Sequence, residues 1–531
     1  MSPAHKGSLI VLGTSSGAGK STLVTGICRW LLRQGISVAP FKAQNMSLNS
    51  FVTDDGKEMA RAQVAQAQAA GAEPEVAMNP VLLKPGSDRQ SQLIVLGRPC
   101  AELDAATGWH AKHDLLEVVV ESYRDLRRRF DVVICEGAGS PAEVNLRRSD
   151  IANLGFARAA DVPALLIGDI DRGGLLASFV GTLAVLEPED QQLVRGFVVN
   201  KFRGALELLQ PGLEQLADLT GRPAFGVLPY RRGLELDAED ATDFMSWLDP
   251  AAPLGEDVLS IGVIAFPRAS NLTDLDPLVD EPGVVLRPIY RPEEMDGCDL
   301  VVLPGTRATV NDLAWLHDRG FEPALRRRVE KGGAVLGLCG GYQMLGNTVE
   351  DHVESKAGKV KGLGLLPVRT KFQRDKVLAR THAVLEDGSK LDGYEIHHGR
   401  VMVDGGAALF SDEGCTVGPV AGTLWHGLFE NDAWRRQFLM GIAERAGKSF
   451  APDPAHDFAA RRESRIDALA DLVEEHLDTE ALLAVLEGQR AALPRITLER
   501  DPGGSASAEL TGYLAGGNRP CNVLIAKGND A

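Results

Sequence analysis

The chain has 531 residues, 44% hydrophobic and 24% charged, with a formal net charge of −17. That size allows roughly two to four domains with sizeable cores. The acidic balance excludes general nucleic-acid binding, which needs a basic face, but not a local positive pocket for an anionic substrate.

In chain order, Ser8–Leu12 reads as a buried strand and Ser21–Gln34 as a helix. Between them lies a loop of small residues, Gly13 to Gly19, followed by Lys20, Ser21 and Thr22. Small residues let backbone N–H groups, including those of Ser16, Gly17 and Gly19, turn inward around a phosphate. The helix start adds its positive dipole end, Lys20 can reach the outer phosphates, and Ser21 can hold Mg²⁺. The strict pattern wants glycine five positions before Gly19, where this chain has Thr14. Strands are then expected at Ile36–Phe41, Asp131–Cys135, Ala164–Gly168 and Gly196–Asn200, so the first half should be a doubly wound, mostly parallel sheet with helices on both faces. Glu136 follows the third of these strands and is the best candidate for a metal contact, direct or through water; Glu58 and Asp55 are weaker ones. Asn200, with Lys201 at a strand end, can pair with a purine edge, although a plain strand-end turn fits the spacing equally well.

Residues 231–256 are acidic and proline-bearing and read as a linker after a nucleotide-binding unit at 1–230. A second β–α series fills 257–448: strands at Leu259–Ala265, Val284–Ile289 and Leu300–Leu303, a helix over Asn311–Glu330, and a strand at Ala334–Leu338. Further strands are expected at Val401–Val403 and Thr416–Val417. The Ala334 strand runs into Cys339-Gly340-Gly341, a tight glycine-flanked turn with a thiol at its apex. Such a turn exposes a nucleophile and frees backbone N–H groups for an oxyanion. A thiol needs a base, and the downstream candidates are His397, His398 and His426. His426, on a turn after an apolar stretch, is preferred. Residues 449–490 are helical by pattern, and 491–531, rich in Gly, Ser and Ala, read as a mobile tail. The seven cysteines form no C-x-x-C pair, no apolar run reaches the roughly 18 residues that span a bilayer, and Met1–Ser8 is too short and polar for a signal peptide. No disulfide framework, structural zinc or membrane contact is expected, and a reducing cytoplasm fits. The sequence does not set the oligomeric state.

With Cys339 and His426 placed, the second half resembles a class I glutamine amidotransferase domain. The glutamate that such domains carry two residues after the histidine is Leu428 here. Its absence resembles the branch containing the cobyric acid and cobyrinate diamide synthases, and leaves open which group orients His426, with Glu395 as a guess. Within that branch, Pro40–Ser50, Asp55-Gly56 with Arg61–Gln63, Met78–Pro85, Glu136–Leu146 and Asp169–Gly174 resemble segments of the cobyric acid synthase family. The first half is also similar to dethiobiotin synthetase. This resemblance implies ATP, Mg²⁺ and glutamine as co-reactants and a corrinoid carrying several carboxylates as the acceptor. Lys42, Lys84, Arg147, Arg172, Lys201 and Arg203 are then candidates for neutralising a transferring phosphoryl group or holding substrate carboxylates; of these, Lys42, Lys84 and Arg172 are assigned to the substrate. Three rivals remain: a synthase of the diamide, a ligase of this branch acting on cell-wall precursors, and a P-loop partitioning ATPase. The last often carries a lysine where this chain has Ser15.

Overall fold

The computed structural model describes residues 6–86, 90–104, 112–234, 254–489, 491–500, 508–512 and 521–524. Most of the expected linker, 235–253, lies outside them.

The first half is built on a six-stranded sheet. Its spatial order is Ala224–Pro229, Val194–Phe202, Ala164–Asp169, Gly7–Gly13, Val132–Glu136 and Val38–Phe41, and every neighbouring pair is parallel. Its apolar runs are continuous because both faces are covered. Period-two alternation sends Ile10 and Leu12 to one core and Leu9 and Val11 to the other. The phosphate loop leaves the strand Gly7–Gly13, whose two neighbours come from later in the chain. This is the switch point of the sheet, where ligands of open α/β folds bind.

The helix over Lys20–Arg33 packs against the second of these cores. That core is closed by two C-terminal helices, Phe458–His476 and Thr479–Leu486. The sequence suggests one continuous helical segment here; the structure breaks it at Leu477 and Asp478, and Asp478 caps the second helix through Ala481 N–H at 2.9 Å. After the second sheet, the chain therefore returns to cover the first. Burying a side chain such as Leu469 there contributes about 1.5–3 kcal/mol, and the rim carries Arg29 and Arg33 against Glu463, Asp467 and Asp471.

The second half has its own six-stranded sheet, ordered Val284–Ile289, Leu259–Ile264, Leu300–Leu303, Ala334–Leu338, Val420–Thr423 and Cys415–Val417, parallel except for the last strand. The helix expected over Asn311–Glu330 is two helices, Thr309–Asp318 and Phe321–Glu330, separated at Gly320, whose φ of +77° ends the first. Two elements exceed their sequence signal. Val368–Val384 and Lys390–Val403 form a long antiparallel pair that reaches the first half, and Gln44–Met46 joins Val81–Pro85, Gln90–Val95 and Arg98–Asp104 in a small sheet. Within 491–531, read above as a tail, Ile496–Arg500, Ala508–Gly512 and Cys521–Leu524 pair antiparallel; its other residues after 500 lie outside those described. Among the described residues, no helix is long and apolar enough to cross a membrane.

Candidate functional sites and the family they define

At the phosphate loop, Gly17 and Gly19 have φ of +71° and +98°. A Cβ on Gly19 would lie 2.0 Å from Asn200 Nδ2, so the loop closes only with glycine there. Asn200 Nδ2 donates to Ala18 O at 3.0 Å and thereby braces the loop. Lys20 Nζ donates to Ser15 O at 3.1 Å and Gly139 O at 3.0 Å, which folds it over the loop. Ser16, Gly17 and Thr22 are exposed at the mouth. Ser21 Oγ donates to Glu136 Oε1 at 2.8 Å. The same oxygen receives Lys42 Nζ at 2.8 Å, and Gln66 Nε2 donates to Oε2 at 2.5 Å. Burial pushes the Glu136 carboxyl up, but Lys42 and Gln66 outweigh it and hold it below the usual range. Lys42 and Glu136 are therefore one buried ion pair beside the Ser21 hydroxyl.

The remaining cations are dispersed. Lys201 Nζ donates to Asp169 at 3.0 Å and Gly17 O at 3.2 Å. Arg172 is exposed near Gly17 and lies 3.4 Å from Asp169. Arg203 stacks over Tyr230 at 3.8 Å. Arg147 makes a bidentate pair with Asp190, at 2.6 and 2.8 Å, which gives it a structural partner in place of a phosphoryl group.

Glu58 corrects the sequence reading. Glu58, a candidate metal ligand, is buried between Lys84 Nζ at 2.8 Å and Lys376 Nζ at 2.5 Å. Burial raises its carboxyl, the two ammoniums lower it further, and the net shift is strongly downward. Asp55 bonds Thr53 and Lys57, away from Glu136. Burial lowers Lys84 to about 8 against the pull of Glu58. Lys84, assigned to the substrate from the sequence, lines the cavity that contains Cys339. No local pattern signals this, because Lys376 comes from the long antiparallel pair of the other half.

In that cavity Cys339 sits at φ +47°, ψ −105°, a strained turn between Ala334–Leu338 and a short helix at Gly340–Leu345. A Cβ on Gly341 would meet Leu303 O at 2.0 Å, and one on Gly340 would meet Thr306 Cγ2 at 2.7 Å, so both glycines are required by close packing. His426 lines the same cavity as Cys339. Its Nδ1 lies 2.6 Å from Asp274 Oδ2, and Asp274 Oδ1 accepts from Gly427 N–H at 2.9 Å. The carboxylate fixes a proton on Nδ1 and leaves Nε2 for the sulfur. Burial disfavours the imidazolium, but Asp274 and Cys339 outweigh it and raise His426 to about 10. Glu395, the guessed partner of His426, instead lies 3.7 Å from His397 Nε2. The orienting acid is Asp274, far upstream; its one hint in the sequence was the missing acid at Leu428. His397 and His398 also line the cavity, with Arg307 and Glu354 paired at 2.6 Å.

A phosphate loop at the switch point of one parallel sheet and a cysteine turn with a histidine and acid on a second define a P-loop nucleotide-binding domain joined to a glutamine amidotransferase domain. Two family matches agree: residues 9–242 match the CobQ/CobB/MinD/ParA nucleotide binding domain, and residues 260–434 the CobB/CobQ-like glutamine amidotransferase domain. The cobyric acid synthase of Streptomyces coelicolor is 56% identical over 501 residues, covering 92% of this chain and 98% of the relative. That of Streptomyces avermitilis is 55% identical over 498 residues, with the same coverage, and that of Frankia casuarinae is 54% identical over 513. The chain belongs to the cobyric acid synthase family and is a glutamine-dependent amide ligase.

Proposed function

We propose that the chain amidates the b, d, e and g carboxylates of adenosylcobyrinic acid a,c-diamide with ATP and glutamine, giving adenosylcobyric acid. The observation that carries this reading is the Cys339–His426–Asp274 array in a cavity that Lys84, from the nucleotide-binding half, helps to wall.

In the glutaminase step, the Cys339 thiolate attacks the glutamine carboxamide carbon and His426 protonates the departing ammonia. Water then cleaves the thioester and releases glutamate. The N–H of Gly340, the residue after the nucleophile and the first of its short helix, is the group assigned to the developing oxyanion. In the synthetase step, a corrinoid carboxylate takes the γ-phosphoryl group of ATP. The resulting acyl phosphate is attacked by ammonia and phosphate leaves. The N–H groups of the Ser16–Gly19 loop and Lys20 meet the phosphates, and Thr22 and Asn200 line and brace the loop. Mg²⁺ fits beside Ser21 and Glu136: the hydroxyl donates to the carboxylate and keeps its lone pairs for a cation. There it would neutralise charge on the phosphates. With Lys42 already on Glu136, the fit favours contact through water. Arg172, exposed at the loop mouth, is the cation best placed for an acidic substrate. The working units are 1–230 for activation and 257–448 for ammonia release, with a cytoplasmic setting, no nucleic acid and no membrane.

Incubation with ATP, Mg²⁺, glutamine and adenosylcobyrinic acid a,c-diamide, followed by mass spectrometry, tests the proposal. The expected result is a stepwise series of OH-to-NH₂ exchanges ending at four. Amidation of cobyrinic acid alone, stopping at the diamide, would assign the chain to the diamide synthases instead.

A further inference from the structure

The segment Lys42–Ser50 touches both sites. At one end, Lys42 holds Glu136. At the other, Asn49 and Ser50 enter the amidotransferase half beside the orienting acid of His426. Asn49 Oδ1 accepts from Leu272 N–H at 3.2 Å. Asn271 clasps Ser50 both ways: its Oδ1 accepts from Ser50 N–H at 3.2 Å and its Nδ2 donates to Ser50 O at 3.0 Å. Asn271 O in turn accepts from Asp274 N–H at 3.0 Å. The turn that carries Asp274 is thus pinned at its start by the nucleotide-binding half.

A second arm reaches the histidine from its other side. Tyr394 OH donates to Ser50 O at 3.0 Å and accepts from Asn271 Nδ2 at 3.0 Å. The Tyr394 ring stacks on His426 with centroids 5.3 Å apart, and the two residues exchange backbone hydrogen bonds at 2.8 and 3.1 Å. Asn49, Ser50, Asn271, Asp274, Tyr394 and His426 are all buried. A buried network whose members bond one another holds them in one arrangement; Ser50 takes part through its backbone, and its hydroxyl has no partner among the described residues.

We propose that Asn49 and Ser50 are positioning residues for the glutaminase: acting through Asn271, they fix Asp274 and Tyr394 and thereby the orientation of His426. The nucleotide-binding half then supplies part of the ammonia-releasing machinery, and the Lys42–Ser50 segment sets the two sites relative to one another. This rests on the reading of Cys339 and His426 as the glutaminase pair.

The cleanest variant is Asn271→Gly. Asn271 has φ +54°, so alanine would add backbone strain, whereas glycine removes the bonds and accepts the conformation. The full-length variant is assayed for glutamate release and, separately, for ATP-dependent amidation with ammonium. Glutaminase kcat should fall by ~2- to 30-fold, the range for residues that act through a packed network, while the ammonium-dependent rate stays at its wild-type value. Asn49→Ala should move the same way by less. Unchanged glutaminase kcat overturns the proposal, and so does an equal fall in both activities, because the contacts would then only hold the halves together. Cys339→Ala serves as the control: persistent glutamate release there would sink the reading of the cavity itself, independently of Asn271.

Discussion

The phosphate loop and the cysteine turn are both strand-to-helix turns at the C-terminal ends of interior strands, but they are completed differently. The loop takes most of its parts from a short stretch of chain: Gly13 to Thr22 supply the cradle, the lysine and the hydroxyl, and the long helix over Lys20–Arg33 supplies the dipole. The cysteine turn supplies a nucleophile and little else. Its base, the acid behind that base and the groups that pin the acid come from Trp425–Gly427, Asn271–Asp274 and Asn49–Ser50. The contrast follows from the chemistry. Binding a phosphate needs backbone N–H groups, which any short glycine-rich turn can aim. Activating a thiol needs three side chains in line, which a single turn cannot present.

Lys20→Ala should have the largest effect and should test whether the loop serves both nitrogen sources. Amidation with glutamine and with ammonium should both vanish; retained activity with either would remove the loop from the mechanism. Cys339→Ser should separate the sites, abolishing glutamine-dependent amidation while concentrated ammonium still supports it. Next in size, Asp274→Asn should lower glutaminase kcat by roughly 10²–10⁴-fold, as when the acid that fixes a catalytic histidine is lost. This variant also has a pH signature. His426 is raised from its ordinary 6.5 to about 10, so its protonation stabilises the fold fully below 6.5 and the contribution is lost as pH rises through about 10. Denaturant unfolding across that window should show a decline in the wild type that Asp274→Asn flattens. Glu58→Gln tests the seam between the halves: leaving Lys84 and Lys376 buried without their carboxylate should cost about 3–5 kcal/mol of stability. Arg33→Ala, on the exposed rim beneath the C-terminal helix, should cost at most ~1 kcal/mol. A larger loss there would mean that the C-terminal helices are held by charge and not by their apolar face.

Much of this was legible before folding. The strands Leu300–Leu303 and Ala334–Leu338 match their apolar runs to the residue, because a strand buried on both faces has no polar positions to blur its ends, and the edge strand Val284–Ile289 matches as well although it carries Arg287. Ser21 and Glu136, each a metal candidate from the sequence, lie within hydrogen-bond distance of one another. The helix over Asn311–Glu330 was misjudged because Gly320 is a lone punctuation mark inside a good helical period. Glu58 departs from its expected role for another reason: its partner Lys376 lies in a strand whose mixed, half-exposed pattern announces no burial.

The sequence alone determined the two chemistries, since a phosphate cradle and a nucleophile turn are local shapes that backbone sterics and small residues dictate. Tertiary structure decided how those chemistries are equipped and joined. Asp274 meets His426, Glu58 bridges Lys84 and Lys376, and the C-terminal helices return to the first sheet, all across separations that carry no local signal. Their cause is burial: an enclosed charge such as Glu58 or Asp274 needs a partner beside it, the C-terminal helices bury an apolar face, and only the packed molecule brings these parts together.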